Sequence, residues 1–364
     1  MDHGSSIGPS DRQLTSHLTE MLTFAVAHGA SDLHLRVGLP PVVRIDGSLK
    51  SVPNETPYTT EAVATDVRSS LSALGTERLA EQRELDFSFG FAEVRLRCNV
   101  FVEKGSLVGA YRLIPTVIRT VEQLGLPPVL LEFTNRNQGL FIITGPTGHG
   151  KSTTLAALID HINQTRSENI ITIEDPIEYV YKNAKSMIAQ REVGSDTRSF
   201  AVALRSALRQ DPNVLLVGEM RDLETIEAAL TLAETGHLVM TTLHTNSAAE
   251  TADRIIDVFP PHQQPQVRSQ LASVLVSVVS QRLIPKVNGG RVAAAEIMTV
   301  NTAIANNIRE GKTHQLANII QTSSAEGMVG LDKVLAGLVN RGDITIDEAQ
   351  FWAHDPKQLK LNVY

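Results

Sequence analysis

The sequence predicts an α/β protein whose main domain is an open parallel sheet, preceded by a smaller α+β domain. Three observations carry this prediction. From residue 129 onward, short apolar runs alternate with helix-forming runs, the pattern of strands joined by crossover helices. Before residue 113 the apolar period is mostly two, with turn residues between neighbouring runs, which reads as adjacent antiparallel strands. Between them, Gly139-Leu-Phe-Ile-Ile-Thr-Gly-Pro-Thr-Gly-His-Gly-Lys-Ser152 places an apolar strand, a glycine loop and a Lys-Ser pair ahead of a helix. That context gives a G-x-x-x-x-G-K-S match its meaning as a phosphate-binding loop.

Residues 1–11 read as a polar, flexible tail. The smaller domain then spans 12–113. Leu14 to His28 carries Leu14, Leu18, Leu22 and Val26 at helical spacing. Ser31–Val37 alternates as a strand, and Val42, Val43 and Ile45 run into a hairpin turn at Asp46-Gly47. Thr60–Leu74 and Thr76–Arg83 are helical in composition. Alternation then returns through Leu85, Phe87, Phe89, Val94, Leu96, Cys98, Val100, Leu107 and Tyr111. Residues 114–128, with Pro115, Gly125, Pro127 and Pro128, read as the interdomain linker. The second domain, 129–364, has predicted strands at Leu140–Thr144, Ile170–Ile173, Val214–Val217 and Leu238–Leu243. Its predicted helices are Ser152–Arg166, Ser199–Arg209, Leu223–Glu234, Ala248–Val258 and Gln263–Val279. A hairpin-like Arg291–Met298 and a helical C-terminal part from Thr302 close the chain.

Composition bounds the function. With 42% hydrophobic and 20% charged residues, the chain can bury a sizeable core. A net charge of −7 argues against duplex nucleic acid as the main partner, which needs a basic face. The single cysteine, Cys98, excludes an intrachain disulfide framework and a multi-cysteine zinc site, and fits a reducing, cytoplasmic setting. The N-terminal residues lack the basic and apolar blocks of a signal peptide. The most apolar late run, Leu271–Val279, is interrupted by serines and bracketed by Arg268 and Arg282, so no direct membrane insertion is expected.

Ligands of an open parallel sheet sit beyond the carboxyl ends of its strands. The first strand delivers Gly145, Gly148 and Gly150, whose backbone can curl so that N–H groups point at an anion. Lys151 can reach the β- and γ-phosphates, and Ser152 can complete the shell of Mg²⁺. The following strands deliver Glu174-Asp-Pro-Ile-Glu178, then Gly218-Glu219-Met-Arg221-Asp222, then Leu243-His244-Thr245. Phosphoryl transfer needs the phosphate placed, its charge neutralised and a water oriented. Glu219 follows its strand where a carboxylate serving Mg²⁺ belongs. Glu178 is the first candidate for the general base, with Glu174 second and better suited to metal or loop geometry. His244 reads either as a γ-phosphate sensor or as a histidine hydrogen-bonded in a strand-end loop. His237 precedes its strand and stands either with the site or at a subunit boundary.

These motifs, with Gln190-Arg-Glu-Val193, Ala203-Leu-Arg-Ser-Ala-Leu-Arg209, Glu234-Thr-Gly-His-Leu238 and Ala30-Ser-Asp-Leu-His-Leu35 in the same order, resemble the secretion-type hexameric ATPases. Within them they are most similar to the type IV pilus retraction (twitching-motility) motors. The resemblance covers almost the whole chain. It implies a RecA-like P-loop NTPase domain, a PAS-like α+β N-terminal domain, and a homo-hexamer acting on an inner-membrane pilus platform protein from the cytoplasmic face. It implies ATP and Mg²⁺ as ligands, with Gly145, Thr147, Gly148, His149, Gly150, Lys151, Ser152 and Thr153 around the nucleotide. Ser152, Glu219 and Glu174 would lie on the metal side. By motif position Glu178 matches the family's catalytic glutamate and Glu219 its Walker-B acid. His237 and His244 match its two histidine boxes. Arg97 and Arg112 match arginines of the N-terminal domain that approach the phosphates; the blander reading of both is exposed strand arginines. No nucleic-acid partner is implied.

Two departures stand out. His149 replaces the small serine usual in this loop. The helix that reads Ala-Ile-Arg-Asn-Leu-Ile-Arg-Glu in retraction motors reads Ala303-Ile-Ala-Asn-Asn-Ile-Arg-Glu310 here, with Ala305 and Asn307 as the changes. The alternatives are a pilus-extension or type II secretion ATPase, whose four-cysteine zinc insert this chain lacks, and a weakly hydrolysing partner of a paralogous motor ATPase.

Overall fold

Short apolar stretches set at two different periods build two separate sheets. The computed structural model describes residues 12–45, 48–92, 94–114 and 117–361. The expected tail at 1–11, the turn at Asp46-Gly47 and Pro115 of the expected linker lie outside the described residues. The chain divides into two compact units: one running to Val117 and including Glu178–Val180, the other comprising Ile118–Ile177 and Tyr181 onward.

The first unit runs α1 (Ser16–Ala27), β1 (Asp32–Leu35), β2 (Val42–Ile45), β3 (Ser48–Ser51), α2 (Thr60–Ser69), α3 (Ala73–Gln82), β4 (Glu84–Phe91), β5 (Val94–Glu103) and β6 (Ser106–Ile114). Its six strands form one antiparallel sheet in the order β3-β2-β1-β6-β5-β4. Inward residues of the strands (Leu33, Leu35, Leu96, Val100, Tyr111) pack with Leu18 and Leu22 of α1 and Val63 and Val67 of α2. Each of the three helices starts at a Thr or Ser whose hydroxyl accepts a first-turn amide, which is why each begins where it does.

The second unit continues with α4 (Val129–Phe133), β7 (Gly139–Thr144), α5 (Lys151–Thr165), β8 (Asn169–Glu174), β9 (Met187–Glu192), α6 (Phe200–Ala207), β10 (Val214–Val217), α7 (Leu223–Glu234), β11 (Leu238–Thr242), α8 (Ala248–Asp257) and α9 (Gln264–Val274). It ends with β12 (Leu275–Pro285), β13 (Arg291–Thr299), α10 (Thr302–Arg309), α11 (Leu316–Thr322), α12 (Leu331–Asn340), α13 (Ile346–Trp352) and α14 (Pro356–Leu361). Seven strands form one sheet, ordered β13-β12-β7-β11-β10-β8-β9. All neighbours are parallel except the β12–β13 pair. Strand β7 is fully buried, as a parallel strand covered on both faces should be. Leu140 and Ile142 enter a core shared with Ile171, Leu215, Leu230, Val239 and Ile255.

Two elements differ from expectation. The predicted helix Gln263–Val279 ends at Val274, and Leu275 begins β12. The run Leu275-Val-Ser-Val-Val-Ser280 mimics helical spacing because it is buried on both faces and shows no alternation. Its β-branched content favours the strand. Strand β9 escaped the sequence reading because it is a half-exposed edge strand with three polar residues, Gln190-Arg-Glu192.

In α10, Ile304 and Ile308 are buried and Ala305 packs on the same core. Asn307 turns its amide back onto its own helix, donating to Ala303 O at 2.9 Å.

Candidate functional site

The loop between β7 and α5 can take its shape only with glycine at fixed places. Gly145, Gly148 and Gly150 have φ of +138°, +80° and +81°. A Cβ on Gly145 would lie 2.3 Å from the Gln281 carbonyl oxygen, and one on Gly150 would lie 2.9 Å from Gln281 Nε2. Helix α5 starts at Lys151 with Gly150 as its N-cap, a residue with no side chain to offer the first-turn amides. An uncapped helix start behind a glycine loop suits an anion.

Lys151 is buried beside this loop. Its Nζ donates to Gly145 O at 2.8 Å and Pro146 O at 3.0 Å, and lies 3.3 Å from His244 Nδ1. An ammonium group only donates, so Nδ1 is the acceptor and the His244 proton sits on Nε2. That nitrogen faces Glu219 Oε2 at 3.6 Å, and the same oxygen is 2.8 Å from Arg221 Nε. Burial, reinforced by the Lys151 charge, pushes the His244 imidazole below its ordinary 6.5, against the opposing pull of Glu219. His244 is therefore neutral at physiological pH, as its accepting role requires.

Strand order explains this line of groups. In the sheet β11 is the neighbour of β7 and β10 follows, so His244 and Glu219 leave the sheet next to the loop. Asp222 caps α7, accepting the Thr225 amide at 2.9 Å, and so ends the Glu219–Arg221 turn. A buried hydroxyl chain holds the exits of β7 and β11 together. Thr245 N donates to Thr144 Oγ1 at 2.8 Å, and Thr245 Oγ1 meets Thr251 Oγ1 at 2.6 Å.

Other expected residues stand elsewhere. Glu174 is buried at the end of β8, accepting from Thr172 Oγ1 at 2.6 Å and Gln190 Nε2 at 3.4 Å. Glu178 is exposed on the segment beyond Pro176 and groups with the first unit. His237 sits at the amino end of β11, where its carbonyl accepts from Gly139 N at 3.0 Å. Its Nδ1 lies 2.9 Å from Leu232 O. That is the opposite edge of the sheet from the loop, so within this chain His237 does not join the Lys151–His244–Glu219 line. In the first unit, Arg97 of β5 and Arg112 of β6 are register partners on one face. Arg112 donates from Nε to Asp32 Oδ1 at 2.9 Å.

Sequence reasoning missed Gln281. It is buried on β12, accepting from Thr154 Oγ1 at 2.8 Å and donating to His149 O at 2.8 Å. One side chain thus ties the loop to the first turn of the helix behind it. The available signal was a Gln-Arg pair inside an otherwise apolar run, since a buried polar residue is the informative exception. Replacing Gln281 with alanine leaves the buried Thr154 hydroxyl and the half-buried His149 carbonyl without their partner and should cost about 1–3 kcal/mol of stability. Thermal unfolding of the purified variant reads this directly. An unchanged midpoint would show that the glutamine is dispensable.

Among the described residues no group of three or more His, Cys, Asp or Glu side chains could hold a metal. The hard oxygen donors near the loop are the Ser152 hydroxyl on α5 and the Glu219 carboxylate after β10. A cation there would take its remaining ligands from phosphate and water.

The family model described as type II/IV secretion system protein matches residues 9–336. The chain is 48% identical over 343 residues to the type IV pilus retraction ATPase PilT of Pseudomonas aeruginosa, covering 94% of this chain and 99% of that one. It is 44% identical over 323 residues to a twitching motility protein of Neisseria gonorrhoeae, covering 88% and 86%. The crystal structure of the pilus retraction motor PilT with bound ADP matches with a TM-score of 0.89 at 49% identity, over 94% of this chain and 98% of that one.

Proposed function

The chain belongs to the type II/IV secretion system protein family, and from that premise we propose that it is an ATP-hydrolysing motor that drives retraction of a type IV pilus. The observation that carries the hydrolytic part is the line Lys151, His244, Glu219 beside a glycine loop built for phosphate. Its likeness along the whole chain to a retraction ATPase supports the direction of the work.

The chemistry assigned to this chain's own residues is as follows. The loop amides and the start of α5 receive the phosphates. Lys151 exchanges its two carbonyl partners for phosphate oxygens, so bound nucleotide takes the place of contacts the ammonium already makes. His244, released from Lys151, can turn its ring N–H from Glu219 toward the γ-phosphate oxygens, which only accept, and so report their presence or loss to Glu219. Glu178 takes the proton of the attacking water as its oxygen bonds to the γ-phosphorus and the bond to ADP breaks. Arg97 and Arg112 are assigned to the charge that develops on the transferred group. A magnesium ion arriving with the nucleotide would neutralise phosphate charge, with Ser152 and Glu219 as ligands, directly or through water, and Glu174 in support.

Six copies would form the working ring, acting on a membrane platform protein at the cytoplasmic face of the inner membrane. Among the described residues no helix is long and apolar enough to cross a membrane, so contact with it would run through partners. Deleting the gene and counting surface pili tests the reading. Abundant pili that fail to retract support it; bald cells point to extension instead.

A second reading is favoured by α10. There Ala305 packs on the core and Asn307 bonds within its own helix, where retraction motors carry an arginine and a leucine. This reading is a weakly hydrolysing partner of a paralogous motor. Robust steady-state ATPase activity of the purified protein alone overturns it.

A further inference from the structure

His149 is the one bulky side chain in a loop otherwise built from small residues and a proline, and the structure gives it definite partners. Its Nδ1 accepts the Leu283 amide of β12 at 3.0 Å. Its carbonyl accepts from Gln281 Nε2, while Arg291 Nη1 donates to the neighbouring Gly148 carbonyl at 3.3 Å. Burial and the nearby charges of Arg282, Lys151 and Arg291 hold the imidazole below its ordinary value, which keeps Nδ1 an acceptor. The remaining face of the ring meets Trp352 edge-on, with centroids 5.2 Å apart and planes at 67°.

Trp352 is the only tryptophan in the chain and ends α13. Its neighbour Phe351 is 76% exposed, whereas Trp352 turns inward onto the cluster formed by Ile284, Leu331, Leu335 and Ile344. The Arg282 guanidinium lies 6.0 Å from the indole centroid. The indole Nε1 is buried without a hydrogen-bond partner, so no hydrogen bond fixes the ring. The chain just beyond is tied down. The Asp332 carboxylate accepts the amides of His354 at 2.7 Å and Asp355 at 2.9 Å, and His354 Nε2 is 3.5 Å from Glu296 Oε2 on β13. Through Trp352, α13 thus touches the phosphate loop.

We infer that His149 and Trp352 form a latch through which the C-terminal helices set the affinity of the loop for nucleotide. With the rings paired, the loop is held in its anion-receiving shape. With the pair broken, ordering the loop must be paid at the moment of binding, and affinity falls. An edge-to-face pair of this kind corresponds to about a two- to tenfold change in an equilibrium constant. Linkage is reciprocal, so nucleotide in the loop also stabilises the packed position of α13. Trp352 is a positioning residue in this scheme, since it reaches the ligand only through His149. The inference rests on the loop being the nucleotide site.

The test measures ADP affinity of the full chain by calorimetry, together with the emission of its one tryptophan. Trp352→Ala and His149→Ser should each weaken ADP binding by about two- to tenfold. The double variant should be no weaker than His149→Ser alone, because that substitution already removes the ring contact together with the Leu283 hydrogen bond. Trp352→Phe keeps an aromatic ring but gives up part of the indole's packing area as well as an N–H that has no partner, and should bind ADP more tightly than Trp352→Ala does. Saturating ADP should shift wild-type emission and leave that of His149→Ser unmoved. Wild-type affinity in both single variants, or losses that multiply in the double variant, overturns the latch. If Trp352→Ala does not fold, Trp352→Leu, which keeps apolar bulk in the cluster but no aromatic ring, carries the test, since His149→Ser also removes the Leu283 hydrogen bond. Lys151→Ala separates the two levels. Undiminished ADP binding there removes the loop as the nucleotide site, whereas lost binding with indifferent latch variants removes only the latch.

Discussion

Lys151→Ala is expected to lower ATP turnover by about 10²–10³, the loss that follows removal of one preorganised donor to developing charge. The ammonium is buried beside the loop and already holds two carbonyl oxygens and the His244 ring. In the bound state these donors would meet phosphate oxygens, whose charge makes each hydrogen bond stronger than a bond to a neutral carbonyl. Alanine removes that gain and leaves His244 Nδ1 without its donor. The fold should survive, because the substitution also removes a charge that is costly to bury. Phosphate release by the purified variant, with circular dichroism to confirm folding, checks this. Turnover close to wild type in a folded variant would displace Lys151 from the site.

Glu178→Gln should be as damaging to turnover and harmless to binding. A general base contributes about 10²–10⁴ in rate, and glutamine keeps the shape while losing the basicity. Exposure leaves Glu178 accessible to water. Glu174, by contrast, is buried and already accepts from Thr172 and Gln190. The pair of variants therefore separates the candidates. If Glu174→Gln stops phosphate release and Glu178→Gln does not, the two roles exchange. ADP affinity should stay at the wild-type level in Glu178→Gln, which sets it apart from Lys151→Ala.

Much of this site could be read from residues alone, for identifiable reasons. The loop was legible because Gly145, Gly150, Lys151 and Ser152 each answer a separate demand at a fixed spacing. Glu219 and His244 were legible because each follows an apolar run that could only be a buried strand. Their neighbourhood was not, since chain order places β8 directly after β7 whereas the sheet places β11 there. His244 thus stands closer to the loop than its position in the chain suggests. Gln281 stayed hidden because the first residues of β12, Leu275–Val279, read as the end of a helix, and a strand buried on both faces carries no period to correct that. His149 could be seen as odd but not understood, because its partners Leu283 and Trp352 lie 134 and 203 residues further along.

The place of β7 inside the sheet also has a mechanical meaning. Its residues Gly139–Ile143 pair with Leu238–Thr242 of β11 on one side, and Leu140–Thr144 pair with β12 on the other. A pull along this strand loads both ladders in shear, so many hydrogen bonds share the force at once. An edge strand such as β9, with a neighbour on one side only, can be peeled away one bond at a time. The loop that receives phosphate is thereby anchored to the part of the sheet most able to bear load. A force applied at the loop is shared with the strands on both sides of β7.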